Sequence, residues 1–199
     1  MARPRFAYRL GWRSIRTVAG RNGGRWRLSA KQARAIADGL GPAMRNHGIT
    51  TARRAYMFIG QIAHESAGFT ALEEFASGAA YEGRKDLGNV RPGDGRRFKG
   101  RSFIMLTGRA NYRAAGKAIG VDLEAHPERA AQPRYAAAIT AWWWEAHGCN
   151  ELADRGLDGL EALTRRINGG LNGLDSRRTY TKRARPLAAF LTPRRRPPT

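Results

Sequence analysis

The chain has 199 residues, 42% of them hydrophobic, and carries 36 Lys and Arg against 16 Asp and Glu, a net charge of +20. That is room for one domain with a real core, and no run reaches the roughly 20 apolar residues of a membrane helix. The single cysteine, Cys149, excludes an internal disulfide framework and a cysteine-ligated zinc site, and suits synthesis in a reducing cytoplasm.

Residues 1–27 hold eight arginines and no acid, and residues 176–199 hold eight Lys or Arg and no acid. The middle is nearly balanced. Basic ends of this kind suit an acidic polymer (nucleic acid, an anionic wall polymer or an anionic lipid surface) or serve solubility alone. The first stretch lacks the apolar core of a secretory signal. It reads as an extension, residues 1–27, either unstructured or weakly amphipathic. In a helix, Arg5, Arg9, Arg13 and Arg16 would face away from Ala7, Ile15 and Val18.

Ser29 is a predicted N-cap for a helix through Ala33, Ile36, Ala37 and Leu40 that stops at Gly41-Pro42, with a short helix over 42–47 after it. Thr50 or Thr51 caps the next helix, ARRAYMFIGQIAHES. Residues 76–101 are rich in Gly, Asp, Pro and Arg and predict a long irregular segment turned at RPGDG. SFIMLTGRANYRAAGKAIGVDL starts extended and finishes helical. RYAAAITAWWWEAHGCN is a strong helix stopped at Gly148, and LDGLEALTRRINGG a shorter one. DSRRTYTKRARPLAAFL is a last helix, kinked or restarted at Pro186. The tail over 193–199 is basic, Pro-rich and loose. The fold class is mainly α, one domain over 28–192.

Carboxylates mark the candidate chemistry. Glu65 stands at a helix C-terminus beside Ile62 and Phe69, where the helix dipole and desolvation both favour a protonated carboxyl. Glu82 has Arg84 and Lys85 as neighbours, which favour the charged form. Two carboxylates with opposed environments form an acid/base pair, unless Glu65 is simply salt-bridged and Glu82 solvated. Glu73, Glu74, Asp86 and Asp94 lie nearby. His64-Glu65 has no second histidine at zincin spacing, and His47, His126 and His147 are scattered, so no metal or other cofactor is expected. Successive residues of Trp142-Trp143-Trp144 point about 100° apart on a helix, so core packing is expected to dominate there.

The segments AHESAGF, AYEGRKDLGNVRPGDGRRFKGR, LTGRANYRAAGKAIGVDL and RINGGLNGLDSR, in that order, resemble glycoside hydrolase family 19, the family of plant-type chitinases and many phage endolysins. The resemblance spans about residues 28–190 and implies a two-lobed, lysozyme-like α-rich domain with a cleft between the lobes. It implies an inverting mechanism with Glu65 as general acid, Glu82 as general base and Thr107 helping to hold the catalytic water. It also implies sugar contacts from Asn111, Tyr112 and Asn168, and a cleft arginine at Arg177, with Arg178 as the alternative. Gln61, His64, Tyr81, Arg84 and Met105 complete the substrate-binding set. Met105 stands where chitinases of the family carry glutamine and lacks that residue's hydrogen-bonding groups. Asn172 stands where the family has an acid.

The expected function is an endolysin that cleaves β-1,4 bonds of peptidoglycan as a monomer. It would be made in a host cytoplasm, released by a separate holin-type factor, and held on anionic outer-membrane or wall polymers by its basic ends. The alternatives are a chitinase, a virion-associated wall hydrolase, and a non-catalytic wall- or nucleic-acid-binding protein. No recognition motif supports nucleic acid.

Overall fold

The computed structural model describes residues 10–188. The expected tail over 193–199, and Arg5, Ala7 and Arg9 of the first segment, lie outside that range. Helix α1 (Trp12–Ala19) leads into a small antiparallel hairpin, β1 (Arg21–Asn22) with β2 (Arg25–Trp26). Then come α2 (Ala30–Asn46), α3 (Ala52–Glu65), α4 (Asp94–Arg97), α5 (Arg109–Ile119), α6 (Pro133–Ala146), α7 (Cys149–Asp154), α8 (Leu160–Asn168) and α9 (Leu174–Ala188). Single 3₁₀ turns punctuate the connections.

The boundaries follow local chemistry. Ser29 and Gln32 form a reciprocal capping box on α2, and Thr51 accepts from the Arg54 N–H to cap α3. Helix α2 differs from expectation: it runs unbroken through Gly41-Pro42 to Asn46. Proline removes one backbone bond, but the apolar stripe continues past it. Ala43 and Met44 are buried with Ile36 and Leu40, so packing outweighs the local loss. Helix α9 likewise continues through Pro186.

Two apolar clusters divide the molecule. The larger joins α1, α2, α3, α7, α8 and α9 around Phe58, Trp144, Leu40 and Leu163. The smaller holds Phe98, Leu106, Tyr112, Leu123 and Ile139. Helix α6 serves both, giving Ala137, Ala141 and Trp144 to one and Ile139 to the other. This is the two-lobed, mainly helical arrangement anticipated from the sequence.

Residues 10–27 are packed rather than trailing. Ile15, Val18, Ala19 and Leu28 are buried, and α1 lies against α2 and α9. The basic character of this segment survives on its outer side, where Arg13, Arg21, Arg25 and Arg27 are exposed. Arg21 and Arg16 stack on the Trp26 ring at 4.2 and 4.9 Å. Because α1 packs on α9, these cations join Lys182, Arg183 and Arg185. The described parts of the two basic ends thus meet, and none of these seven exposed cations pairs with a carboxylate among the described residues.

Candidate active site

Glu65 is the last residue of α3. The preceding turns are buried from Ala55 to Ala63, so the helix carries the carboxylate to the mouth of a 340 Å³ cleft. Met105, Thr107 and Asn111 line that cleft from the small lobe, with Trp142, Trp143 and His147 from α6 and its end. Glu65 Oε1 accepts from Arg177 Nη2 at 2.5 Å. No described residue donates a hydrogen bond to Oε2.

Arg177, on α9, is fully buried. Its Nη1 donates to Gln61 Oε1 at 2.6 Å and its Nε to the Asn172 carbonyl at 3.2 Å. A buried guanidinium needs a carboxylate and further acceptors to repay its desolvation, and here it has them. Arg178, the alternative, is exposed and reaches Asp175 instead. The Gln61 Nε2 is buried without a partner. His64 Nδ1 and Ser176 Oγ are 2.9 Å apart, and the imidazole lies over Gly173, where a Cβ would come 2.2 Å from its ring. Burial first, and then the Arg177 cation, hold the His64 pKa below its ordinary value, against an opposite pull from Glu65.

The backbone beneath the cleft is strained. Ala67 and Phe69, just past Glu65, and Ser102 and Met105, on the facing segment, have positive φ without being glycine. The two turns dock on each other. The Ser102 N–H donates to the Leu72 carbonyl at 3.0 Å, and Phe69 meets Phe103 edge-to-face at 5.8 Å. Four such residues on two docked turns, one of them lining the cleft with Glu65, are the kind of strain that collects at functional sites. Nothing in the residue types announced it.

The small-lobe residues fall into two groups. Thr107 Oγ1 donates to the Met105 carbonyl at 2.8 Å, and Asn111 Nδ2 to the Thr107 carbonyl at 2.7 Å, so this edge of the cleft is internally braced. Tyr112 differs from expectation. Its side chain is fully buried, its hydroxyl donates to the Lys99 carbonyl at 2.6 Å and accepts from Arg101 Nη1 at 3.1 Å, and burial pushes its pKa up to about 12. It is a core group of the small lobe and is closed to a sugar. Asn168 is exposed at the end of α8, and its neighbour Ile167 lines the cleft in its place.

Glu82 is not among the cleft-lining residues. Its carboxylate accepts from the Gly93 N–H at 2.7 Å and the Gly95 N–H at 2.8 Å, at the start of α4. Arg84, expected to serve Glu82 and substrate, is turned to Asp86 in a two-point pair at 2.8 and 2.6 Å. Glu74 stands differently. Its Oε2 accepts from the Tyr81 hydroxyl at 3.0 Å, and its Oε1 is buried with no partner. A Cβ on Gly100 would lie 3.1 Å from Glu74 Oε2 and 3.3 Å from Met105 Cβ, so Glu74 and a cleft-lining residue flank one glycine. The sequence marked Glu74 only as one acid among several.

Trp144 is core, as expected, stacked edge-on to Phe58 at 5.1 Å. Trp142 and Trp143 instead reach the cleft. Among the described residues, no group of three or more His, Cys, Asp or Glu is placed to hold a metal ion, and no helix is long and apolar enough to cross a membrane.

Known proteins share this fold. The structure resembles chitinase C from Streptomyces griseus with a TM-score of 0.66 at 21% identity, covering 96% of this chain and 79% of that one. A class IV chitinase from Zea mays gives 0.60 at 21% identity, covering 89% and 90%. These likenesses speak to the fold, which is lysozyme-like. In sequence, a glycosyl hydrolase family 19 domain-containing protein of Haemophilus influenzae is 34% identical over 153 aligned residues, covering 61% of this chain and 73% of that protein. An endochitinase of Arabidopsis thaliana is 34% identical over 124, covering 62% of this chain; the chain spans only 42% of that relative's length. The family model for glycoside hydrolase 19, chitinase class I, matches residues 30–154, and so includes Glu65, Glu74, Glu82 and Thr107 but not Arg177. That match extends over more than half of the chain, which belongs to glycoside hydrolase family 19 and is a glycoside hydrolase.

Proposed function

We propose that this chain is a lysin that hydrolyses β-1,4 glycosidic bonds of peptidoglycan by inversion, with Glu65 as general acid. One observation carries the reading: Glu65 is held through Oε1 by Arg177, with Oε2 left toward an aromatic-lined cleft. Inversion needs a proton delivered to the glycosidic oxygen on one side of the sugar and a base that activates water on the other. Glu65 delivers the proton. For the base, the expected residue is Glu82, but both of its oxygens already hold backbone N–H groups. Glu74 keeps Oε1 without a hydrogen bond, while its Oε2 flanks Gly100 opposite the cleft-lining Met105, and it fits the task better. The Thr107 hydroxyl, on the cleft wall, gives its hydrogen to the Met105 carbonyl and keeps its lone pairs to accept from the water.

Peptidoglycan is favoured over chitin by the cationic face of α1, the hairpin and the 182–185 stretch of α9, whose exposed cations suit an anionic cell envelope. Release by a separate membrane-permeabilising protein belongs to the same reading. Chitin is the second reading, favoured by the endochitinase of Arabidopsis thaliana to which the chain is similar.

The test is clearing of purified peptidoglycan and cleavage of N-acetylglucosamine oligomers by the unmodified protein and by Glu65→Gln, with mass spectrometry of the products. Wall clearing with new reducing ends, abolished in Glu65→Gln, supports the proposal. Oligomer cleavage without wall clearing transfers the protein to chitin. A Glu65→Gln protein as active as the original removes Glu65 from the mechanism.

A further inference from the structure

His147 lies on the cleft wall with Glu65 but has no part in the acid/base chemistry. It follows α6 directly and is unusually well fixed for an exposed side chain. Its ring stacks on Trp143, one helical turn earlier, with centroids 3.9 Å apart and planes 19° apart. Its Nδ1 lies 2.7 Å from the Trp143 carbonyl oxygen. Its own carbonyl accepts from Arg166 Nη1 on α8. Ring, tautomer and backbone are all set before any ligand arrives.

The tautomer decides the chemistry. A carbonyl oxygen only accepts, so Nδ1 carries the hydrogen and the Nε2 of the neutral ring carries a lone pair. No described residue hydrogen-bonds Nε2. The cleft therefore presents a fixed acceptor on the outer side of a two-ring stack.

We propose that the Trp143–His147 pair is a sugar subsite for an N-acetylated hexosamine, with Nε2 accepting from an amide N–H or hydroxyl of that residue. The flat imidazole face packs against the sugar's C–H face while Nε2 reads a donor at its rim. A cleft of few charges gains orientation from a small number of placed polar groups. Lysine or glutamine in the same place would lose far more side-chain freedom on binding. The subsite rests on the proposed glycosidase reading and adds to it a residue that governs binding rather than bond cleavage.

The test uses the full chain carrying Glu65→Gln, so that ligand persists. A soluble N-acetylglucosamine oligomer is titrated in, and the ¹⁵N signals of His147 and of remote His126 are followed. The expected result is a saturable shift of His147 Nε2 with His126 unmoved. In the active protein, His147→Phe keeps a ring on Trp143 but removes the acceptor. It is expected to raise KM about five- to tenfold, the worth of one hydrogen bond, with kcat retained and the melting temperature unchanged. Oligomer binding with His147 unmoved, or an unaltered KM in His147→Phe, overturns the subsite and leaves the glycosidase reading standing. Absence of any oligomer or peptidoglycan binding overturns both.

Discussion

Arg177 and Glu65 form a pair in which the cation is fully buried and the carboxylate is not: Nη2 to Oε1 is 2.5 Å, with 0% of the arginine side chain and 19% of the glutamate side chain exposed. The arginine cannot turn to solvent if its partner is lost. Replacing Arg177 by Met strands the acceptors on Gln61 and Glu65. We expect about 3–5 kcal/mol of lost stability, the scale for breaking a buried pair, and a fall in kcat well beyond what the unfolded fraction explains. Arg177→Lys, which keeps the charge but not the fork, is expected to recover folding more than turnover. Chemical denaturation beside single-turnover assays separates the two.

Glu74 and Glu82 predict opposite signatures. Glu74→Gln is expected to remove most activity while the melting temperature stays near its original value. Glu82→Gln gives up one of the two charge-assisted bonds to the Gly93 and Gly95 N–H groups. It is expected to loosen the loop ahead of α4 and raise its protease sensitivity, with a smaller loss of activity. Limited proteolysis with activity assays decides; the reverse pattern would return the base to Glu82.

Asp94 is expected to govern the acid limit of the small lobe. Its carboxylate accepts from Arg109 at 2.9 and 2.5 Å and from the Val90 and Arg91 N–H groups. Arg109 foremost, and then the backbone donors, hold its pKa below the ordinary 3.8 against the effect of burial. A lowered carboxylate contributes its full stability above the unfolded value and loses it as pH falls through the folded one. Asp94→Asn is therefore expected to destabilise at neutral pH, by about 3–5 kcal/mol, and to flatten the acid side of the stability curve. Thermal melts from pH 7 to pH 2.5 measure both.

His64 has the opposite sign. Its folded pKa lies below the ordinary 6.5, so the unfolded chain takes up the proton first. Stability is then whole above about pH 6.5 and declines as pH falls below it. A His64→Asn protein is expected to lack that decline. Melting temperatures between pH 7.5 and 5.5 show it directly.

The cationic face predicts salt-sensitive adhesion. Arg21→Glu, Arg25→Glu and Arg183→Glu together are expected to release the protein from anionic vesicles or wall polymers at low ionic strength. Cleavage of soluble oligosaccharides is expected to be unchanged, since none of the three touches the cleft. Retention of the unmodified protein should fall steeply with salt, because exposed charges are screened within about 10 Å at 0.1 M.

The site was legible where residue type and local order carry the information. Glu65 at a helix end, Thr107 and Asn111 on the cleft wall, and Arg177 over Arg178 were all reachable from the motifs. Tyr112 was misplaced because its Asn-Tyr neighbours alternate between cleft and core within one turn of helix, and no pattern in the sequence says which is inside. Trp142 to Trp144 pose the same difficulty: 100° steps divide three identical residues between core and cleft, and only packing tells them apart. Glu82 was singled out partly for its basic neighbours, yet Arg84 is satisfied by Asp86, a pairing that adjacency in sequence does not reveal. Residues 10–27 read as an appendage because arginines hide the spacing of Ile15, Val18 and Ala19, which is the spacing that docks α1.

The seam between α3 and α9 has a bearing on when the enzyme comes to exist. The helices lie so close at Gly60 that a Cβ there would stand 2.6 Å from the Thr181 Cα, and Arg177 reaches Glu65 across 112 residues of chain. A nascent polypeptide that has delivered everything through residue 170 holds the carboxylate, the strained turns and the aromatic wall, but no cation for Glu65. That long-range contact is the slowest kind to close. Competence therefore arrives with the docking of α9, and a ribosome halted before it leaves Glu65 without the cation that holds its Oε1.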